Sequence, residues 1–334
     1  MRESSMRAYI IRRLLLIIPT LFLVSLIIFF LIRLIPGDVV DAIIAQYAQG
    51  GYFVEIDRAA VEKELGLDVP VFTQYGRWIG IWPGEDGSFS GILQGDLGTS
   101  LVRTTSVSEE IGARWPVTFE LGLLALIVAQ LIALPIGIFS ALRQDTWGDY
   151  IARSFAIMCI AVPSFWVATM VIVFPSKWWG WSPPIMLIRF TEDPIGNLQM
   201  FIVPAIVLGM AMSGMTMRMT RTMMLEVLRQ DYIRTAWAKG LRERVVILRH
   251  ALKNALIPVI TVIGFQLPVL IGGAVIIEQI FCLPGMGRLL VNATLGRDYT
   301  VVSGIMLILG FGMVFINLMV DLTYGFLDPR IHYK

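Results

Sequence analysis

Few residues in this chain have the types and spacing that covalent or metal chemistry requires. Its two cysteines, Cys159 and Cys282, lie far apart in apolar surroundings, which excludes a disulfide framework and a cysteine-only metal site. The two histidines, His250 and His332, are equally separated, and no HExxH or Cys/His zinc spacing occurs. A GxxxxGK[ST] phosphate loop is missing, because the sequence has no Gly-Lys dipeptide. Three acids stand at the ends of apolar runs: Glu120, Glu278 and Asp321. Acids within membrane segments are functional candidates, but at these ends water or a basic partner reaches them, so structural pairing is the expected role. Met210, Met212, Met215, Met217, Met219, Met223 and Met224 surround one helix rather than forming a stripe, which reads as flexible packing rather than a soft-metal path. Cys159 reads as a small apolar filler.

The elements that must hold these residues are apolar. Of 334 residues, 56% are hydrophobic and 16% charged, against about 25% charged in soluble domains. Mean hydropathy is +0.73. Six runs are free of Asp, Glu, Lys and Arg: Leu14–Ile32, Leu121–Leu142, Ser154–Ser176, Pro194–Met217, Asn254–Ile277 and Tyr299–Val320. Each approaches or exceeds the ~20 residues that a helix needs to cross a bilayer. The expected fold is therefore an all-α polytopic membrane protein with six transmembrane helices. Prolines within the runs, Pro163 among them, are expected to kink the helices rather than abolish them. Gly272, Gly273 and Ala274 suit close helix contact.

The net charge of +2 is too balanced for a nucleic-acid binder. Basic residues set the orientation. Residues 218–253 hold nine Lys or Arg and three acids, and the N-terminal segment is basic too, so both are expected in the cytoplasm. Residues 36–114 hold twelve acids and five basic residues and are expected outside. Both termini are then cytoplasmic. The first run is too long for a signal peptide and lacks a small-residue cleavage site, so an uncleaved helix is expected.

Within the long external loop, Asp57–Leu65 reads as a short helix, capped by Asp57 and stopped by Gly66. Thr73–Ile79 reads as a second, and Trp82-Pro-Gly-Glu-Asp-Gly as a turn-rich insertion. The loop is either a lid packed on the outer face or a docking surface for an external partner. The loop between spans four and five holds two helical stretches around Gly240. Small residues near Thr235-Ala236-Trp237-Ala238 admit another backbone, and glycine allows a reversal. The second stretch is basic and amphipathic, with Val245, Val246, Leu248, Ala251 and Leu252 between Arg244, Arg249 and Lys253. It suits anionic lipid or a protein partner equally. Pro284, Gly285 and Gly287 are expected to break any helix after span five, leaving a re-entrant or interfacial segment.

These residues resemble a family: the permease subunits of ATP-binding-cassette importers of the dipeptide and oligopeptide class, and among them the subunit with a long first external loop. The resemblance runs nearly end to end. It is carried by Leu34-Ile-Pro-Gly-Asp38, Leu65-Gly-Leu-Asp68, Gln94-Gly-Asp-Leu-Gly98, Pro116-Val-Thr-Phe-Glu120, Tyr232-Ile-Arg-Thr-Ala-Trp-Ala-Lys-Gly-Leu241, Arg249-His-Ala-Leu-Lys-Asn-Ala-Leu-Ile-Pro258, Glu278-Gln-Ile-Phe281, Pro284-Gly-Met-Gly287 and Asp328-Pro-Arg330. Trp237 departs from the family, which usually has arginine there. An Ile-x-Leu-Pro of the broader importer signature is also replaced, by His250-Ala-Leu-Lys253, a departure that peptide-class relatives share.

The resemblance implies a type I importer permease fold and half of a translocation pathway for di- or oligopeptides. It implies a prokaryotic cell-membrane location and domains of 1–35 (N-terminal tail and first span), 36–114 (external loop) and 115–330 (permease core), with a coupling loop at about 218–253. Expected partners are a second homologous permease, two ATPase subunits that bind ATP and Mg, an extracytoplasmic binding protein and the bilayer. ATPase coupling is expected at Arg234, Thr235, Ala236, Trp237, Ala238, Lys239, Gly240, Leu241 and Arg244, with no catalytic, cofactor or metal site in this chain. The alternative is a self-sufficient ion-coupled transporter or channel, which predicts mid-span charges and internal repeats that the sequence does not show. An intramembrane enzyme would need a nucleophile–base or acid pair, and none is evident.

Overall fold

A computed structural model describes residues 2–34, 40, 44, 58–64, 66–84, 87–184 and 186–327. Asp38, Asp57, Leu65, Asp328, Arg330 and His332, singled out from the sequence, lie outside the described residues, and the side chain of Asp321 is likewise not described. Helices dominate and no strand occurs among the described residues. They are α1 (Arg2–Arg33), α2 (Arg58–Glu64), α3 (Val71–Ile79), α4 (Val107–Leu142), α5 (Trp147–Ala161), α6 (Ser164–Trp179), α7 (Pro194–Leu228), α8 (Asp231–Ala238), α9 (Lys253–Ile280), α10 (Met286–Leu295) and α11 (Tyr299–Leu327).

Among the described residues, five stretches are long and apolar enough to cross a membrane: Ile11–Arg33, Val107–Leu142, Pro194–Leu228, Glu243–Pro268 and Tyr299–Val320. The third expected span, Ser154–Ser176, is not one straight helix. Its run is divided between α5 and α6, which meet at 95°. Pro163 has no N–H to donate and forces the preceding residue out of the helical region; Val162 accordingly sits at φ −84°, ψ 122°. Here proline breaks the helix, whereas Pro19, Pro175, Pro204, Pro258 and Pro268 stay inside theirs.

The chain forms two compact units. The first comprises Met1–Leu14, Val117–Gly287 and Phe315–Lys334. Its core takes Leu121, Ala125, Phe201, Ala205, Leu208 and Ile277 from α4, α7 and α9, and Phe281 just after α9. Small residues let these helices approach: a Cβ on Gly209 would meet the Ala125 carbonyl at 2.7 Å, one on Gly214 the Ala156 carbonyl at 2.6 Å, and one on Gly137 the Met217 carbonyl at 2.8 Å. In lipid such contact replaces the hydrophobic drive that holds soluble helices together. Gly272 does not serve this role within the chain, since a Cβ there meets nothing within 4 Å; Ala274 is buried in the core. Met212, Met217 and Met224 pack inside, as does Cys159, whereas Cys282 is exposed.

The second unit comprises Leu15–Pro116 and Arg288–Val314. Both short helices expected in the long loop occur among its described residues, α3 starting two residues before its expected position. Gly66, at φ +62°, closes α2 with Gly66 N–H donating to Lys63 O and Leu67 N–H to Glu62 O. On α3, Tyr75 and Trp78 lie against Phe29 of α1, ring centroids 5.1 and 5.5 Å away, and Tyr75 Oη is 2.9 Å from Ser25 Oγ. Asp298 binds Ser100 Oγ and accepts from Leu101 N at 3.3 Å. This part of the loop is folded onto its own unit.

Candidate functional site

The loop after α7 is built outward from two buried residues. Ile233 and Ala236 stand three apart on α8 and so share one face. Both enter an internal cluster with Ala141, Met224, Val246, Ile247, Ala251 and Ala255. Ile233 is 0% exposed. The opposite side faces outward: Arg234, Thr235, Trp237, Ala238, Lys239, Gly240, Leu241 and Arg244 are all exposed. Ala236, expected among the coupling residues as a small contact surface, is turned inward and anchors the helix instead.

The helix ends as its sequence requires. Gly240 takes φ +70°, a left-handed conformation that costs glycine little. Gly240 N–H donates to Trp237 O at 2.9 Å and Leu241 N–H to Ala236 O at 3.4 Å, pairing the last carbonyls. The Thr235 hydroxyl donates to Asp231 O at 3.0 Å within its own helix. Asn254 Nδ2 donates to Tyr232 Oη at 2.9 Å and ties α8 to the start of α9. Arg234, Lys239, Arg242 and Arg244 outnumber Asp231 and Glu243 across the segment, so the exposed surface is basic.

The second stretch is not a plain amphipathic α-helix. Glu243–Val245 make one turn, then Val246–Leu252 are wound as a π-helix that runs into α9. Val246, Ile247 and Ala251 pack into the cluster beneath α8. The chain itself covers this part of the apolar side, whereas Val245 and Leu248 stay exposed. π-Turns arise often at functional sites.

Two polar locks hold the surrounding helices, and the sequence pattern did not reveal either. Arg221 on α7 forms a two-pronged pair with the fully buried Asp149 on α5, its Nε donating at 2.8 Å and its Nη2 at 2.7 Å. Ser140 on α4 hydrogen-bonds the same carboxylate. On the other side of the core, Gln266 Nε2 donates to Met212 O at 3.0 Å and Thr216 Oγ1 to Gln266 Oε1 at 3.3 Å, joining α9 to α7. Only the proximity of a charge to an apolar run could have flagged Asp149 or Arg221, and many residues share that signal.

Of the acids at the run ends, Glu120 is half-buried. Glu278 is 0% exposed, so of the two expected roles it is pairing within the protein, not contact with water, that the structure shows. Thr118 Oγ1 donates to Glu278 Oε1 at 2.6 Å. The cause lies in the Pro284-Gly-Met-Gly287 segment. A Cβ on Gly285 would collide with the Glu278 carboxyl, and one on Gly287 would stand 2.9 Å from its Oε2. These glycines allow backbone to close over an acid. Gly287 does not break a helix, since it lies inside α10.

The binding-protein-dependent transport system inner membrane component model matches residues 133–333, and the N-terminal model of the same kind of component matches residues 6–122. The chain belongs to this family. A candidate peptide transport system permease protein of Brucella suis biovar 1 is 42% identical over 98% of this chain and 100% of its own length. The dipeptide transport system permease protein of Alkalihalophilus pseudofirmus is 39% identical over 98% of this chain and 100% of its own. Among solved structures, the inward-facing MetNI methionine ABC transporter matches with a TM-score of 0.54 at 15% identity, over 66% of this chain and 96% of that one, which shows a shared fold. The chain is thus a multi-pass inner-membrane permease subunit and is not itself an ATPase. Family membership favours this reading over a self-sufficient transporter.

Proposed function

We propose that this permease is one half of the translocation pathway of an ATP-binding-cassette importer for peptides, driven by ATPase subunits that dock on α8. The observation that carries the docking assignment is the α8 surface. Ile233 and Ala236 fix the helix from inside, while Trp237, Lys239, Gly240 and Leu241 face outward around a glycine turn. A rigid, basic, solvent-facing helix end suits insertion into a groove on another protein. Its anchor cluster includes residues of α4, α7 and the π-wound entry to α9, so a push on α8 is delivered to spanning helices.

The assembly comprises this chain, a second homologous permease, two ATPases that bind ATP and Mg, and an extracytoplasmic binding protein. Both termini and α8 lie in the cytoplasm, in keeping with the basic content of residues 218–253. ATP binding favours one arrangement of the ATPase pair, and the permease equilibrium between outward- and inward-open states shifts only as far as ATP discriminates between them. Among relatives that match nearly the whole chain, the named cargo is peptide or dipeptide for some and glutathione for others, and peptide is the class proposed; selection rests mainly on the binding protein.

The test is purification of the tagged chain from its own host, with mass spectrometry of what accompanies it, followed by reconstitution. A second permease and ATPases are expected, with ATP-dependent peptide uptake in liposomes once the binding protein is added. Repeated purification of the chain alone, with solute movement independent of ATP, would overturn the proposal.

A further inference from the structure

We infer that a pocket between α4, α5 and α7 binds the phosphate of an anionic membrane phospholipid. The cavity holds about 110 Å³. Its walls divide by chemistry. Ile136, Ile157 and Ile160 supply an apolar side, and Arg153, Arg218 and Arg221 supply three guanidinium groups. Buried Asp149 answers part of this charge. It is taken up by Arg221 through two hydrogen bonds, and Arg153 Nε stands 3.5 Å from the same carboxylate. That Nε is buried and has no hydrogen-bond acceptor. Arg218 is exposed, and no acid among the described residues pairs with it. The pocket thus carries surplus positive charge and guanidinium donors for an anion.

The same helix shows where that anion sits. Trp147 is 84% exposed and Tyr150 half-exposed at the start of α5. Such amphipathic rings mark the level of lipid headgroups. Arg153 follows one turn beyond Tyr150, with its guanidinium carbon 4.5 Å from that ring centroid. Ile157 and Ile160 come next, both outward-facing. Positions 150, 153, 157 and 160 lie on one helical face, so aromatic belt, cation and hydrocarbon succeed one another as headgroup and acyl chain do in a bilayer. Basic pockets between helices at the cytoplasmic side are built for anionic headgroups. An acidic side chain of a partner subunit would match the arginines but not the apolar wall beside them. Placement in the cytoplasmic leaflet rests on the orientation proposed above; the pocket itself does not.

The test uses the chain purified with its accompanying subunits, delipidated in mild detergent and titrated with phosphatidylglycerol, phosphatidylcholine or inorganic phosphate. Native mass spectrometry counts bound lipid. Wild-type complex is expected to retain phosphatidylglycerol at least tenfold more tightly than phosphatidylcholine. The double variant Arg153→Gln/Arg218→Gln should lose that preference. Ile157→Trp, which fills the pocket without changing its charge, should lose it too while the assembly stays intact. Equal retention of both lipids, or a preference unchanged in both variants, overturns the inference. Displacement of phosphatidylglycerol by millimolar phosphate alone assigns a free-anion site and also overturns it. Loss of the ATPases from the double variant, with lipid retention unchanged, assigns the arginines to a protein partner instead.

Discussion

Thr118 and Glu278 are 160 positions apart and joined by one short bond, Thr118 Oγ1 donating to Glu278 Oε1 at 2.6 Å. The same hydroxyl accepts from Met286 N–H at 2.8 Å. One side chain on α4 therefore serves a fully buried carboxyl at the end of α9 and the first backbone N–H of α10. Its single proton is committed to the carboxyl and its lone pair to the amide. Replacing it disturbs two groups at once.

Thr118→Val keeps the shape and removes the hydroxyl. A hydrogen bond contributes about 0.5–1.5 kcal/mol net, and about 1.5–3 kcal/mol where one group is charged; here two are lost. Thr118→Val is expected to lower the melting temperature of the purified complex clearly, while Thr118→Ser stays near wild type. Gly285→Ala should be at least as damaging as Thr118→Val, because its methyl meets the Glu278 carboxyl. Equal melting of the valine and serine variants would rule out the relay.

The Asp149–Arg221 pair gives a second measurement. Asp149 is fully buried and Arg221 mostly so. Removing one member of a buried pair costs about 3–5 kcal/mol, because the other charge is left uncompensated. Asp149→Ala and Arg221→Ala should each be severely destabilising. The double variant should be less so than their sum, with a coupling term near 2 kcal/mol. Unfolding in mixed micelles across the four proteins reads this out. Additive losses would mean that Asp149 is held chiefly by Ser140 and the Asp145 amide, which donates to its Oδ2 at 3.1 Å.

Much of the fold was legible because lipid imposes a simple code. Charge-free runs marked the spans, and Gly66 and Gly240 marked helix ends, since both need positive φ. What was not legible depended on three-dimensional approach. Pro163 and Pro204 both lie inside apolar runs, yet one breaks its helix and the other does not. Gly285 and Gly287 looked like helix breakers, and their purpose becomes visible only with Glu278 beneath them. At the candidate site, the exposed residues followed from the motif, but the inward turn of Ala236 did not. Its burial is set by the cluster around Met224 and Val246, which no local pattern announces.

Inside and outside of α8 should separate in experiment. Ile233→Ala removes a fully buried side chain from the anchor cluster and is expected to cost about 2–5 kcal/mol. It should reduce both stability and transport. Trp237 is 44% exposed, so Trp237→Ala should leave melting within about 0.5 kcal/mol equivalent of wild type. Transport and substrate-stimulated ATP hydrolysis in liposomes should nevertheless fall, because the ring is lost from the docking surface. A Trp237→Ala protein with full coupling would remove that residue from the interface.

Gly240 distinguishes conformation from contact. Its φ of +70° strains any side chain, by roughly 1–2 kcal/mol for alanine. Within the chain a Cβ there meets nothing within 4 Å, so steric rejection can come only from a partner. Asparagine tolerates the left-handed region better than alanine. If conformation alone requires glycine, Gly240→Asn should couple ATP hydrolysis to transport better than Gly240→Ala. If a partner backbone approaches closely, both should lose coupling alike, and asparagine, being larger, should be the worse. The docking assignment expects the second result. Gly240→Pro should abolish transport under either account, since proline cannot adopt this φ and forfeits the N–H that reaches Trp237 O. Full transport by Gly240→Pro would remove the turn from the coupling mechanism altogether.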